Sequence, residues 1–186
     1  QAVTGIVLRK DPRAALSLAR IAINEPLPNR DAVAVFLILL QMNGLIDEAA
    51  AYVRVHLVEP PAGEVLLLTV LGEVAAATSN WMRAYSLAAS VLSVNPHNPR
   101  ALVISSMANY DFGNVHESLG NAIHANKLNP KDQTATLQLM RCHNKLVDFY
   151  STIAAFTEMR GETNVMPEIH AQLGIAHARL GNVDEI

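Results

Sequence analysis

Several features that would point to a particular class of protein are scarce in this sequence. It has a single cysteine, Cys142, so no disulfide can form within the chain. Its 14 basic and 17 acidic residues are scattered, which leaves a net charge of −3 and no Lys/Arg-rich run. Binding to nucleic acid is therefore not expected. The longest apolar run, Ala32–Leu40, is far shorter than the roughly 20 residues that span a bilayer, so membrane insertion is not expected either.

Residues arranged for chemistry are also missing. His116 and His124 are eight residues apart, and His170 and His177 are seven apart, which places each pair about two helical turns apart. That separation is too large for one zinc ion. The sequence contains no Gly-rich phosphate loop and no zinc-protease motif. We therefore expect no catalytic residues, no cofactor and no metal site, and a chain that is not itself an enzyme.

Small and medium aliphatic residues make up much of what is present. Apolar residues account for 51% of the chain and aromatic residues for only 5%. Ala, Leu and Val at this density favour helices packed closely against other helices. The sequence therefore predicts an all-α fold.

Prolines recur at a nearly constant interval. Pro26, Pro61, Pro96 and Pro130 are spaced 35, 35 and 34 residues apart. Since proline cannot continue a helix interior, each is expected where one pair of helices ends and the next begins. Turn-forming pairs lie between the prolines and predict a tight turn within each pair of helices. These pairs are Asn43-Gly44, Ser79-Asn80, Phe112-Gly113 and Gly181-Asn182.

The prolines and turn-forming pairs, together with apolar residues spaced three and four apart, predict ten helices. Gly120 lies inside one of them, where we expect it to allow the close approach of a neighbouring helix. The predicted helices cover residues 11–24, 30–43, 46–58, 64–77, 80–93, 99–112, 114–128, 132–146, 148–160 and 167–180.

The repeated unit resembles the tetratricopeptide repeat family. The best copy has Leu71-Gly72, Ala84, Ala88 and Pro96 in the order of that family's signature. The resemblance implies an α-solenoid, a right-handed superhelix of stacked antiparallel helix hairpins. Leu37 and Met140 depart from it, because the signature has a small residue at both positions. Those two hairpins are expected to be splayed or repacked.

The resemblance also implies how the chain is divided. It predicts a single array with a partial repeat at about 1–29, full repeats at 30–64, 65–98, 99–132 and 133–166, and a partial repeat at 167–186. Because both end repeats are incomplete, we expect a fragment of a longer chain. The cysteine usage is compatible with the cytoplasm, which we expect as the location. The start at Gln1 leaves a periplasmic location open.

In such an array the first helix of each hairpin lines a concave groove that binds a partner. Carried over to this sequence, the resemblance implies a groove that is apolar at first and becomes polar and basic towards the C-terminus. An apolar groove favours an apolar or amphipathic segment of another protein. The predicted groove residues are Val35, Ile38, Met42, Val70, Glu73, Val103, Ile104, Met107, Tyr110, Gln138, Arg141 and Lys145.

The function expected from these observations is a protein–protein interaction scaffold. The alternative is an accessory domain of a larger enzyme, such as a glycosyltransferase or methyltransferase, that recognises the substrate or mediates dimerisation. Apolar end faces also leave self-assembly into a homo-oligomer open.

Overall fold

The computed structural model describes residues 11–24, 29–57, 64–159 and 164–181. Within these ranges the chain forms ten α-helices and no β-strand, which confirms the all-α prediction. Each predicted helix is present, with both of its ends within two residues of the predicted ones. The helices are Pro12–Ile23 (α1), Arg30–Met42 (α2), Ile46–His56 (α3), Val65–Ala77 (α4), Trp81–Val94 (α5), Pro99–Asp111 (α6), Val115–Leu128 (α7), Gln133–Lys145 (α8), Phe149–Glu158 (α9) and Pro167–Leu180 (α10).

Local chemistry explains where many of these helices begin. Proline occupies the start of α1, α6 and α10, where its missing N–H breaks no helical hydrogen bond. Side-chain oxygens of Asn98 and Asp132 accept hydrogen bonds from the first free amides of α6 and α8. Pro96 and Pro130 precede these two starts, as the sequence predicts. Pro26, Pro61 and Asn182 lie outside the described residues.

The turns inside the helix pairs share one backbone geometry. A residue with positive φ recurs every 34 or 35 residues: Gly44, Ser79, Gly113, Val147 and Gly181. In the first four turns the next residue donates its amide to a carbonyl five residues earlier, at 2.8–2.9 Å. This hydrogen bond belongs to the Schellman motif, which ends a helix by satisfying one of its last carbonyls. The repeat is therefore present in the backbone, even where Ser79 and Val147 replace glycine.

The chain forms two compact units, Gln1–Val94 (unit 1) and Asn95–Ile186 (unit 2). In unit 1, α1 packs against α2, and α4 packs against α2, α3 and α5. In unit 2, α8 packs against α6, α7, α9 and α10. None of the helices in the described part of the chain combines the length and apolarity needed to cross a membrane.

Small residues allow the paired helices to approach closely. Ala84 and Ala88 of α5 are buried in unit 1. In unit 2 the Ser106 hydroxyl lies 2.7 Å from the Ser118 carbonyl oxygen, and the Ser118 hydroxyl lies 2.7 Å from the Ser106 carbonyl oxygen. In these reciprocal contacts the serine hydroxyl of each helix reaches the backbone carbonyl oxygen of the other, which joins α6 to α7. The small residues of the repeat signature therefore serve as the crossing points of the helix pairs.

The two departures from that signature have visible consequences. Leu37 is completely buried, and its helix α2 packs much less extensively against α3 than α4 packs against α5. This agrees with the predicted splaying. Met140 is buried in a core cluster with Leu139, Ala155 and Ile169, so the larger side chain has been accommodated by repacking.

The expectation for Gly120 is wrong. A Cβ atom built on this residue would meet no atom within 4 Å, and the residue is exposed on α7. Within the described ranges no neighbouring helix approaches it, because the packed face of α7 presents Ser118 and Ala122 instead.

Candidate protein-binding surfaces

Four of the predicted groove residues lie in the interior. Val70 is 0% exposed, Val103 5%, Ile104 2% and Gln138 2%. Their helices α4, α6 and α8 are packed on several sides, so the side chains that the repeat pattern directs towards a groove are enclosed. These four residues therefore offer no surface to a partner.

Gln138 is buried with its side-chain nitrogen hydrogen-bonded. Its Nε2 lies 3.2 Å from the Ser118 hydroxyl and 3.4 Å from the carbonyl oxygen of Ser106. The thiol of Cys142 lies 3.0 Å from the same hydroxyl. Burying a polar side chain is tolerated when such partners replace water. This cluster therefore ties α8 to the α6–α7 pair and is structural.

The α2 strip, defined as Val35, Ile38 and Met42, is the part of the predicted apolar groove in unit 1 that is at least partly exposed. Its members are spaced three and four residues apart, so they share one face of the helix. Val35 and Ile38 are half-buried, whereas Met42 is 53% exposed. The strip therefore runs from a partly covered end to an open end. Glu73, on the neighbouring α4, is half-buried.

The α6–α8 strip, defined as Met107, Tyr110, Arg141 and Lys145, is the corresponding surface of unit 2. The Arg141 guanidinium carbon lies 4.8 Å from the centre of the Tyr110 ring. This is a cation–π contact, which holds both side chains in one place. Lys145 is exposed one turn after Arg141, while Met107 and Tyr110 are half-buried. Tyr110 and Arg141 lie on separate helices, and the sequence predicts that they share one surface. The structure shows them in contact.

Helix α10 is attached beside this strip. The Asn144 side-chain nitrogen lies 2.9 Å from the carbonyl oxygen of Gln172 and 3.0 Å from its side-chain oxygen. The Thr152 hydroxyl donates in turn to Asn144. Because these bonds are partly shielded from water, they fix α10 against α8 and give the strip a rigid support.

A cavity in unit 1 could not be predicted from the sequence. It has a volume of about 440 Å³ and lies between α3, α4 and the start of α5. Aliphatic side chains line part of its wall, and Asp47, Arg54 and Arg83 supply charged groups. Arg83 also donates to the carbonyl oxygen of Leu57 at 2.9 Å. No motif signals this cavity, because its lining comes from separate helices.

Two titratable groups of unit 2 have shifted pKa values. Burial raises the pKa of the Cys142 thiol, which keeps it in the unreactive protonated form. Hydrogen bonds from Ser151 lower the pKa of Asp148, with a further contribution from His143, whose Nδ1 lies 3.3 Å from the carboxylate. Asp148 also accepts the Ser151 amide at the start of α9, so its role is that of a helix cap.

Comparison with known proteins identifies the fold by structure rather than by sequence. No family model matches the chain, and no curated protein matches it significantly. Among solved structures, a tetratricopeptide repeat protein from Parabacteroides merdae has a TM-score of 0.72 at 17% identity, over 99% of this chain and 72% of that one. PilF of Pseudomonas aeruginosa has a TM-score of 0.70 at 14% identity, over 97% and 82%.

A third similar structure is TTC0263, a tetratricopeptide repeat protein of Thermus thermophilus. It has a TM-score of 0.67 at 17% identity and covers 84% of this chain and 86% of its own. Identities this low establish a common fold and carry no information about ligands.

Proposed function

From the tetratricopeptide-repeat fold of the chain, we propose that it is a protein-interaction scaffold that holds a segment of another protein on the exposed faces of its first helices. The observation that carries the proposal is the α2 strip, where an exposed methionine continues a line of apolar side chains on one face. Exposed apolar residues that share a face mark interaction surfaces more often than residues scattered singly.

The α2 strip suits an apolar or amphipathic partner segment. Its side chains, spaced i, i+3 and i+7, form a ridge along one helix face, and an amphipathic helix binds by laying its apolar face against such a surface. Met42 is unbranched and polarisable, so it adapts to partners of irregular shape. Burying it completely on binding would contribute about 1 kcal/mol, given that half of a side chain worth roughly 1.5–3 kcal/mol is still exposed.

The α6–α8 strip suits a more polar part of a partner. Tyr110 offers an aromatic face, and Arg141 and Lys145 offer hydrogen-bond donors on the same side of α8. Tyrosine and arginine dominate the binding energy of many protein interfaces. The Tyr110–Arg141 contact orders both residues before a partner arrives, which lowers the entropic cost of binding. We expect the partner segment to place an apolar side chain near Tyr110 and an acceptor near Arg141.

The proposal assigns no catalytic step to this chain. Its cysteine is buried with a raised pKa, the opposite of a reactive thiolate. The alternative role, as a recognition or dimerisation domain of a larger enzyme, would use the same two strips and differ only in what binds them.

Matched pairs of variants test the proposal. Met42→Glu and Tyr110→Ala alter the strips, whereas Met82→Glu and Tyr150→Ala make the same changes at residues 71% and 75% exposed on the second helices α5 and α9. Proteins captured from an extract of the source cell by the unaltered chain would be identified by mass spectrometry. The bound segment would then be synthesised and its affinity measured by fluorescence anisotropy.

We expect Met42→Glu or Tyr110→Ala to weaken binding at least about tenfold, which corresponds to about 1.4 kcal/mol. The two control variants should bind as the unaltered chain does, and all four should keep their helical circular dichroism. Equal affinities for all five proteins would refute the strips as binding surfaces. A captured partner that is a second copy of the chain, with a mass that rises with concentration, would establish self-assembly instead.

A further inference from the structure

Two histidines from separate parts of unit 2 meet at its surface. Nδ1 of His97 lies 3.0 Å from Nε2 of His124, and the ring centres are 5.1 Å apart with the ring planes at 73°. One ring donates to the other, so one of these two nitrogens carries a proton and the other accepts it through its lone pair. If the donor ring moves its proton to its other nitrogen, both facing nitrogens present lone pairs. The sequence pattern pairs His124 with His116 and does not single out His97, which is 27 residues away from its partner.

The loop that carries His97 is held in place. Its sequence is Asn95-Pro96-His97-Asn98-Pro99, so a proline on each side restricts the backbone. The His97 amide donates to the Asn95 side chain at 3.3 Å, and the Asn98 amide donates to the Asn95 carbonyl at 3.2 Å. Asn98 then caps α6. Because His124 projects from the middle of α7, both imidazoles are presented by ordered backbone.

We propose that His97 and His124 together bind one divalent transition-metal ion, of the class of Zn²⁺, Ni²⁺ or Cu²⁺. Imidazole nitrogen is a preferred ligand for all three ions. An ion placed about 2.0–2.1 Å from both nitrogens would subtend an angle of about 90° between them, which is the cis angle of octahedral or square-planar coordination. Opening the distance to roughly 3.3 Å would reach the tetrahedral angle that Zn²⁺ prefers.

The remaining ligands would be water. Within the described part of the chain, no group of three or more His, Cys, Asp and Glu residues is arranged to hold a metal. His97 is exposed and His124 is half-buried, so solvent has access to the other coordination positions. The site would therefore be an open one, held by two protein ligands, which suits reversible binding.

Metal binding would link the loop before α6 to α7. An ion that binds the folded state and not the unfolded one stabilises the fold in proportion to the logarithm of its concentration. Unit 2 would thus become more stable when the metal is present.

The test is isothermal titration calorimetry, in which the untagged chain is titrated with ZnCl₂ and, separately, with NiCl₂. We expect one ion per chain and a higher thermal midpoint in its presence. His97→Ala and His124→Ala should each weaken binding about tenfold or more and abolish the thermal shift. His116→Ala removes an exposed histidine of the same helix and serves as the control, with unchanged binding.

Three results would overturn the proposal. The first is no binding by the unaltered chain at millimolar metal. The second is equal binding by the two variants and the control, which would place the ion elsewhere. The third is one ion per two chains with a doubled mass, which would mean that the ligands come from two molecules. If one alanine variant fails to fold by circular dichroism, the other decides the outcome.

Discussion

Two glycines of unit 2 should respond in opposite directions to the same substitution. Gly113 ends α6 with φ of 84°, whereas Gly120 lies within α7. A Cβ atom added at either position would meet nothing within 4 Å. Changes in packing are therefore absent from both variants, and the effect of Gly→Ala reports the backbone conformation alone.

The magnitudes follow from that conformation. At Gly113 the left-handed backbone costs alanine roughly 1–2 kcal/mol, and the smaller entropy of the unfolded alanine chain returns about 0.4–1 kcal/mol. Gly113→Ala should therefore lower the free energy of unfolding by about 1 kcal/mol. At Gly120 the helical backbone favours alanine, so Gly120→Ala should raise it by about 1 kcal/mol. The two variants should differ by about 2 kcal/mol.

Urea unfolding followed by circular dichroism at 222 nm measures this difference. Since both residues lie in unit 2, the two variants report on the same part of the chain. Changes of the same sign in both variants would refute the reasoning. A Gly113→Ala variant as stable as the unaltered chain would also refute it, because the positive φ at this turn would then not be required.

Three further predictions follow from local structure. Val147 is 71% exposed with φ of 63°, so Val147→Gly should raise the free energy of unfolding by about 0.5 kcal/mol in the same urea assay. Val55 is 68% exposed in the last turn of α3, and Val55→Gly should instead lower the free energy of unfolding by about 0.4 kcal/mol, the difference in helix propensity between valine and glycine. Ser118→Ala removes the buried hydroxyl shared by α6, α7 and α8, and should cost about 1–3 kcal/mol, whereas the exposed Ser86→Ala should change little; equal effects would contradict the buried cluster. Asp148 has a lowered pKa in the folded state, so its charge stabilises the fold above the carboxyl's ordinary pKa, and that contribution is lost as pH falls through the lowered value. Asp148→Asn keeps a helix cap but removes the carboxylate charge. The variant should therefore have a lower free energy of unfolding than the unaltered chain at pH 7 and the same free energy in strong acid. A lower stability that persists at low pH would show that the loss does not come from the charge.

The helices could be predicted because the conformational preferences of individual residues determine where they begin and end. Proline and glycine restrict or permit the backbone wherever they occur, so Pro96, Gly44 and Gly113 mark boundaries without any knowledge of tertiary structure. The fourth turn shows the limit of this approach. Val147 strongly disfavours a positive φ and carries no turn signal, yet it lies 34 residues after Gly113 and adopts the same geometry. The packing of helices on both sides of the turn outweighs its local preference.

The exposed faces of the helices are harder to predict from the sequence for a related reason. Helices α4 and α6 are apolar or small around most of their circumference, so periodicity does not distinguish the face that packs from the face that stays open. The repeat pattern therefore predicts a groove position for Val70, Val103 and Ile104, which are buried in the structure. Met42 and Lys145, near the open ends of their helices, remain exposed.

Local chemistry along the chain is sufficient to predict the secondary structure, the period of the repeat and the small residues at which the helices cross. All of these depend on the intrinsic properties of residues at known spacing along one chain. Only the tertiary structure decided which apolar side chains are covered, that Gln138 is buried with hydrogen-bonding partners, and that His97 meets His124. Those facts depend on distances between residues far apart in sequence, and such distances are set by how whole helices pack and not by the local preferences of any one segment.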